Sequence, residues 1–206
     1  HPLEAPVPIA IAGRGPRILE LAGEVADTVL VATFTDGPLL DHALERVETG
    51  VTRRDSDLAP LRRAAWAYIA VDDDPTAARA AVRTGIAVAL WGSRPLLDQL
   101  GIAVPDDLRR LMEEGTYAVT PDVIGRAAAL IPDELIDACS VSGTPDACAA
   151  RLRALAGRGF EHVALWPFPV VGQSVDDLVD RIVVDVIPRV TGRHPGRADR
   201  QGGIMQ

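Results

Sequence analysis

The stretch Val7-Pro8-Ile9-Ala10-Ile11-Ala12-Gly13-Arg14-Gly15-Pro16 sets the fold class. An apolar run that ends in a Gly-x-Gly turn is the mark of a buried strand entering a tight turn. Pro16 suits the first position of a helix, because the N–H it lacks would have no partner there. Ile18, Leu19, Ala22, Val25 and Ala26 follow at helical spacing. The opening residues therefore read as one strand–turn–helix unit, with the strand at residues 7–12.

The pattern repeats outward from this unit. Residues 28–33 (Thr-Val-Leu-Val-Ala-Thr) are a second, β-branched strand. Residues 38–48 place Leu40, Ala43, Leu44 and Val47 on one helical face. Residues 64–71 predict a third strand, and Asp74-Pro75 caps the helix after it. Helices opening at Pro105, Pro121 and Pro132, with acids in their first turns, intervene before Thr144-Pro145-Asp146 begins another. That helix runs through Leu155 and is closed by Gly157 and Gly159; residues 162–166 then predict the fourth strand. Val175, Leu178, Val179, Ile182, Val183, Val186 and Ile187 form the apolar stripe of a last helix.

The order is β-α-β-α-β-(several α)-β-α. Strands apolar along their length and separated by helices imply a parallel sheet with right-handed crossovers. Four such units suit either a small doubly wound sheet or half of a (β/α)8 barrel. Periodicity alone leaves both open.

Composition narrows the function classes. The chain has 206 residues, 48% of them hydrophobic and 24% charged, enough apolar content for a substantial core. A net charge of −8 argues against nucleic-acid binding, and no apolar run approaches the length of a membrane span. Every fixed cation is Arg, a bias expected of a GC-rich genome. Two cysteines, Cys139 and Cys148, are too few for a disulfide framework and suit a reduced cytoplasmic protein. The start, His1-Pro2-Leu3, lacks an initiator Met, a basic region and an apolar core, so no export signal is expected. It reads as an artificial boundary or the middle of a longer chain.

Several chemistries can be weighed residue by residue. Gly13-Arg14-Gly15 aims backbone N–H groups at the positive end of a helix, where an anion binds, and Arg14 and Arg17 could add charge-assisted bonds to phosphate. It is not a dinucleotide fingerprint: the third glycine would fall at Ile18, and Ala32-Thr33-Phe34 offers no acid for a ribose. A structural turn and a phosphate cradle both suit it. Asp72-Asp73-Asp74 reads as a helix cap rather than a hard-cation site, and His1, His42, His162 and His194 form no ligand pair, so no metal is expected. Ser140-Val141-Ser142-Gly143 lacks the leading glycine of a nucleophile elbow. Trp166-Pro167-Phe168-Pro169 ends the last strand, where parallel α/β folds bind ligands; these rings suit either a pocket wall or a packed cap.

The residues from Pro8 to Asp27, PIAIAGRGPRILELAGEVAD, resemble the central signature of the luciferase-like monooxygenase superfamily of flavin and deazaflavin oxidoreductases. Within it, they are similar to the coenzyme F420-dependent methylenetetrahydromethanopterin reductase branch. Pro132-Asp133-Glu134-Leu135-Ile136-Asp137-Ala138, then Ser142-Gly143-Thr144-Pro145, then Gly159-Phe160-Glu161-His162-Val163 resemble that branch's later motifs in order. The resemblance implies a (β/α)8 TIM barrel of which this chain is the C-terminal half, strands five to eight over residues 1–190, with residues 191–206 a flexible tail.

It further implies that Gly13, Arg14, Gly15, Thr33 and Phe34 hold the cofactor, and that Trp166 and Phe168 line the substrate pocket. Arg14 departs from the family's Gly-rich turn and would be an added phosphate contact. Coenzyme F420 is the cofactor expected, with FMN the alternative, for hydride transfer or flavin monooxygenation of a small organic substrate. No acid or base stands out as catalytic. A half barrel needs partners, either the N-terminal half-barrel or a second copy of the chain in a homo-oligomer. The contrasting reading is a catalytically silent binding or assembly module that lacks the redox half. A free-standing doubly wound phosphate binder would instead have helices over both sheet faces.

Overall fold

The structure, a computed structural model, describes residues 7–114 and 120–192. It contains β1 (Ala10–Gly13), α1 (Pro16–Val25), β2 (Thr28–Ala32), α2 (Gly37–Val51), β3 (Arg62–Val71) and α3 (Pro75–Trp91). Four helices follow: α4 (Arg94–Gln99), α5 (Asp106–Glu114), α6 (Pro121–Leu130) and α7 (Asp133–Cys139). The chain closes with β4 (Ser140–Gly143), α8 (Pro145–Gly157), β5 (His162–Pro167), α9 (Val175–Arg181), a π-helical turn at Ile182–Val186, and α10 (Ile187–Thr191). Of the expected tail, Thr191 ends α10 and Gly192 caps it, while residues 193–206 lie outside the described residues.

All strand pairs are parallel. Ala64 to Trp66 of β3 pair with β2 and with β5, so those two strands flank it. Tyr68 and Ile69 pair with β4 and with β5, which puts β4 on the same flank as β2, just beyond the point where β2 stops. The lateral order is therefore β1-β2-β3-β5, with β4 extending the line of β2. This corrects the expected strand count. Ser140 to Gly143 form a fifth strand absent from the expected order, because two serines and a glycine carry little strand signal. The first strand also begins later than expected, at Ala10.

Burial separates the two sheet arrangements. Val29, Val31, Ala65, Ala67, Ile69 and Val71 are wholly buried, facing the helical layer. The opposite face carries Ala10, Ala12, His162, Ala164 and Trp166, all exposed. A doubly wound sheet would have both faces covered; here the second face is open along β1 and β5 and buried only around Ala64, Ala70, Ser140 and Ser142. It is the second half of a barrel seen from its lumen.

Glycines bring the first two helices into close approach. A Cβ on Gly23 would lie 2.3 Å from the Val47 carbonyl oxygen, and one on Gly50 would lie 2.0 Å from that of Glu20. Glu20 and Glu24 pair with Arg46 and Arg53 across the same seam. Asp74 caps α3, accepting from the Thr76 N–H at 2.8 Å. Arg181 pairs with Asp72 and Asp73, so this acidic run serves a helix start and an ion pair. Among the described residues no cluster of His, Cys, Asp or Glu could hold a metal ion. Nor is any helix there long and apolar enough to cross a membrane. Cys139 and Cys148 are free and buried. Burial pushes each thiol up to about 12, against a weaker opposing pull from Arg14 and Arg151 at Cys139 and from Arg151 and Arg181 at Cys148.

Candidate functional site

In parallel α/β folds ligands bind at the carboxyl ends of the strands, and the unusual features of this chain collect there. Gly13 ends β1, and a Cβ on it would lie 2.4 Å from Ile18 Cγ2, so glycine is needed for the turn to close. Gly15 is the N-cap of α1 with φ −76° and ψ 148°, an extended backbone open to any residue. It makes no side-chain cap, and a Cβ there would meet only Ile18 Cγ2 at 4.0 Å. Gly15 is therefore not required by the local backbone. Its missing side chain leaves space in a cavity of about 120 Å³ lined by Arg14, Gly15, Pro16, Gly92, Ser93, Pro95 and Leu96. Arg14 adds a buried guanidinium nitrogen, Nη1, that has no hydrogen-bond partner. An orphaned cationic donor beside the first turn of a helix is the donor set an oxyanion would satisfy.

Thr33 follows β2 and is 3% exposed. Its N–H makes the last bond to β3, donating to the Trp66 carbonyl at 2.7 Å, and its φ of 75° lies in the left-handed region. A β-branched residue in that region stores about 1–3 kcal/mol of strain, which persists only where the surroundings fix it. They do. The N–H and hydroxyl of Thr35 both donate to the Ala138 carbonyl, and the same hydroxyl reaches the Ser140 carbonyl at 3.2 Å. The chain is thereby hooked from the end of β2 onto the start of β4. Phe34 is wholly buried in the core. Its ring packs in the hydrophobic core: beyond Thr33 the chain turns inward.

The lumen face of β3 and β5 is aromatic. Trp66 and Trp166 stand with ring centroids 5.6 Å apart, tilted by 41°. Tyr68 and Phe168 meet edge to face at 5.0 Å. Trp166 is 53% exposed, whereas Phe168 is partly buried where a Cβ on Gly85 would come within 2.6 Å of its ring. So α3 lies across the mouth of the half barrel. Trp66 and Tyr68 were not singled out in the sequence, although their period-two spacing with Ala64 and Ala70 puts all four on one face of β3. Ser140 and Ser142 continue this layer on β4, linked through their hydroxyls at 3.0 Å. Ser140 also donates to the Ile136 carbonyl, so Ser142 is the donor within the pair and is left free only to accept.

The two parts of the site are separated by the width of the half barrel. From β1 to β5 are three strand spacings, about 14 Å. A turn with an orphaned guanidinium nitrogen at one side and an aromatic wall at the other would suit a ligand with an anionic end and a planar end. Among the described strand residues, the upper lumen face carries no carboxylate or imidazole. Arg62 and His162 lie at the opposite end of their strands, where Arg62 pairs with Glu161.

Comparison with known proteins agrees with this architecture. A family profile described as luciferase-like monooxygenase matches residues 1–162. The 5,10-methylenetetrahydromethanopterin reductase of Archaeoglobus fulgidus is 29% identical over 185 residues, 89% of this chain and 54% of that protein. Among solved structures, the coenzyme F420 dependent tetrahydromethanopterin reductase from Methanopyrus kandleri superposes with a TM-score of 0.68 at 25% identity, over 89% of this chain and 51% of that one. An F420-dependent secondary alcohol dehydrogenase, in complex with an F420-acetone adduct, shares the fold with a TM-score of 0.58 at 17% identity, over 91% of this chain and 50% of that one. The chain spans about half the length of the relatives it matches.

Proposed function

We propose that this chain, which belongs to the luciferase-like monooxygenase family, is the half of an F420-dependent oxidoreductase that holds the cofactor's phosphate and lines the substrate pocket. The observation that carries this reading is the orphaned Nη1 of Arg14 beside the Gly15-lined cavity at the start of α1. Gly13 closes the turn, Gly15 leaves the backbone approachable, and Arg14 supplies charge. Thr33, held in its strained conformation at the neighbouring strand end, fixes the path of the chain beside this turn. The bound deazaflavin supplies hydride transfer to or from a small organic substrate; with FMN, the alternative cofactor, the family's chemistry extends to monooxygenation. This chain's residues bind, orient and exclude water. F420 is favoured over FMN because the similar Methanopyrus reductase depends on F420.

The other half of the barrel is the partner this reading requires. Ile18, Leu21 and Val25 are exposed along α1 at the β1 edge. Val175, Val179, Val183 and Ile187 are exposed along the last helix at the β5 edge, while Leu178, Ile182 and Val186 are buried against the fold. Two apolar flanks and two open strand edges suit a complementary half barrel. The unpaired thiols favour a reducing compartment such as the cytoplasm. Adding F420 and FMN separately to the protein as its gene encodes it, and following cofactor fluorescence, tests the function. Tight binding of F420 supports it; failure of both cofactors to bind refutes it. Sedimentation of the 206-residue chain alone tests the partner: a well-folded, soluble monomer would contradict the need for a second half.

A further inference from the structure

The aromatic wall continues into a second cavity that the phosphate site does not use. Beyond Phe168 the chain runs through Pro169, Val170 and Val171 alongside α3. Between them lies a groove of about 350 Å³ lined by Ala77, Ala80, Ala81 and those three residues, with Asp72 and Asp74 at its rim. Small side chains on α3 leave the groove open, and Val171, at its outer edge, is fully exposed. The Phe168 ring against Gly85 joins this groove to the Trp66–Trp166 wall.

Charge is divided across the mouth. The cationic contribution sits at the β1 end, in Arg14 and the start of α1. At the β3 end are Asp72, Asp73 and Asp74, met by the single guanidinium of Arg181, a net excess of negative charge. No residue lining the groove is cationic. The two ends are two strand spacings apart, about 10 Å, or one screening length, so Arg14 offsets the acids only weakly.

The geometry points to a substrate that is apolar and elongated and carries no negative charge. Its ring stacks on Trp66 and Trp166, and its apolar tail lies along Ala77, Ala80 and Ala81 under Val171. The inference rests on the proposed function, since it takes this mouth as the substrate side of a cofactor held at the β1 end. A carboxylate on such a tail would enter an acidic, partly desolvated groove, where like charges discriminate strongly.

The test uses the protein as its gene encodes it, with F420 bound, and compares 5-phenyl-1-pentanol with 5-phenylpentanoate, which carries its carboxylate at the tail end, at pH 7 by calorimetry. The alcohol should bind at least about tenfold more tightly than the carboxylate. Ala80→Phe, at an exposed helical position, should fill the groove and weaken the alcohol about tenfold while leaving F420 affinity unchanged. Val171→Arg, at the exposed edge, should raise carboxylate affinity several-fold without entering the core. Equal binding of the two probes, or no response to either variant, overturns the inference while normal F420 binding leaves the proposed function standing. Absence of F420 binding in the parent protein overturns the proposed function instead.

Discussion

Replacing Gly15 with Val separates the role of the turn in binding from its role in folding. Gly15 has an extended backbone that valine adopts without strain, and the nearest atom to a new Cβ is Ile18 Cγ2 at 4.0 Å. Valine is a poorer N-cap than glycine by about 0.5–1 kcal/mol. Against this, removing a glycine reduces the freedom of the unfolded chain and stabilises by roughly 0.4–1 kcal/mol. The two effects nearly cancel, so the melting temperature should move little. The cavity behaves differently. Its volume of about 120 Å³ must admit the three added carbons of the valine side chain, beside the N–H groups of the first turn of α1. Losing a single hydrogen bond to a charged phosphate costs about 1.5–3 kcal/mol, or roughly 10- to 150-fold in affinity. A fluorescence titration of Gly15→Val with F420 reads this directly. A dissociation constant within about twofold of the parent would show that no phosphate approaches this turn. Gly13→Ala is the contrasting variant: its Cβ would lie 2.4 Å from Ile18 Cγ2, so it should lower the melting temperature.

Gly50→Ala should destabilise by about 1–3 kcal/mol, because its Cβ would lie 2.0 Å from the Glu20 carbonyl oxygen. Calorimetry should show a drop of roughly 2–4 °C per kcal/mol, and an unchanged melt would contradict the close approach of α1 and α2. Thr33→Gly releases the strain of a φ of 75° and should leave the melt unchanged or raised while weakening F420 binding; unaltered affinity would remove Thr33 from the rim. Cys139 and Cys148, with thiols raised to about 12 by burial, should resist a disulfide reagent at pH 8 until the protein is unfolded. Their folded values lie above the ordinary 9.0, so the stability they contribute is complete below that pH and declines as pH rises from 9 towards 12. A Cys139→Ala, Cys148→Ala variant should show a shallower alkaline loss in chemical denaturation, and an identical profile would refute this linkage.

Residue order alone places four of the five strands and the Gly-Arg-Gly turn. Both are local signals: apolar runs mark strands, Gly-Arg-Gly before Pro16 marks the turn, and prolines with nearby acids mark helix starts. The order of motifs was enough to indicate a half barrel of the luciferase-like type. Three features lay beyond it. Ser140 to Gly143 became a strand only because β2 stops at Ala32 and leaves the upper flank of β3 to be paired, a demand set by the rest of the sheet. Phe34 looked like a rim residue by position, yet the left-handed turn at Thr33 sends its ring into the core. Trp66, Tyr68, Trp166 and Phe168 became one wall only when parallel register set residues nearly a hundred positions apart side by side. Periodicity tells which residues share a face of a strand; which strands become neighbours, and which face stays bare, is decided by burial summed over the whole chain.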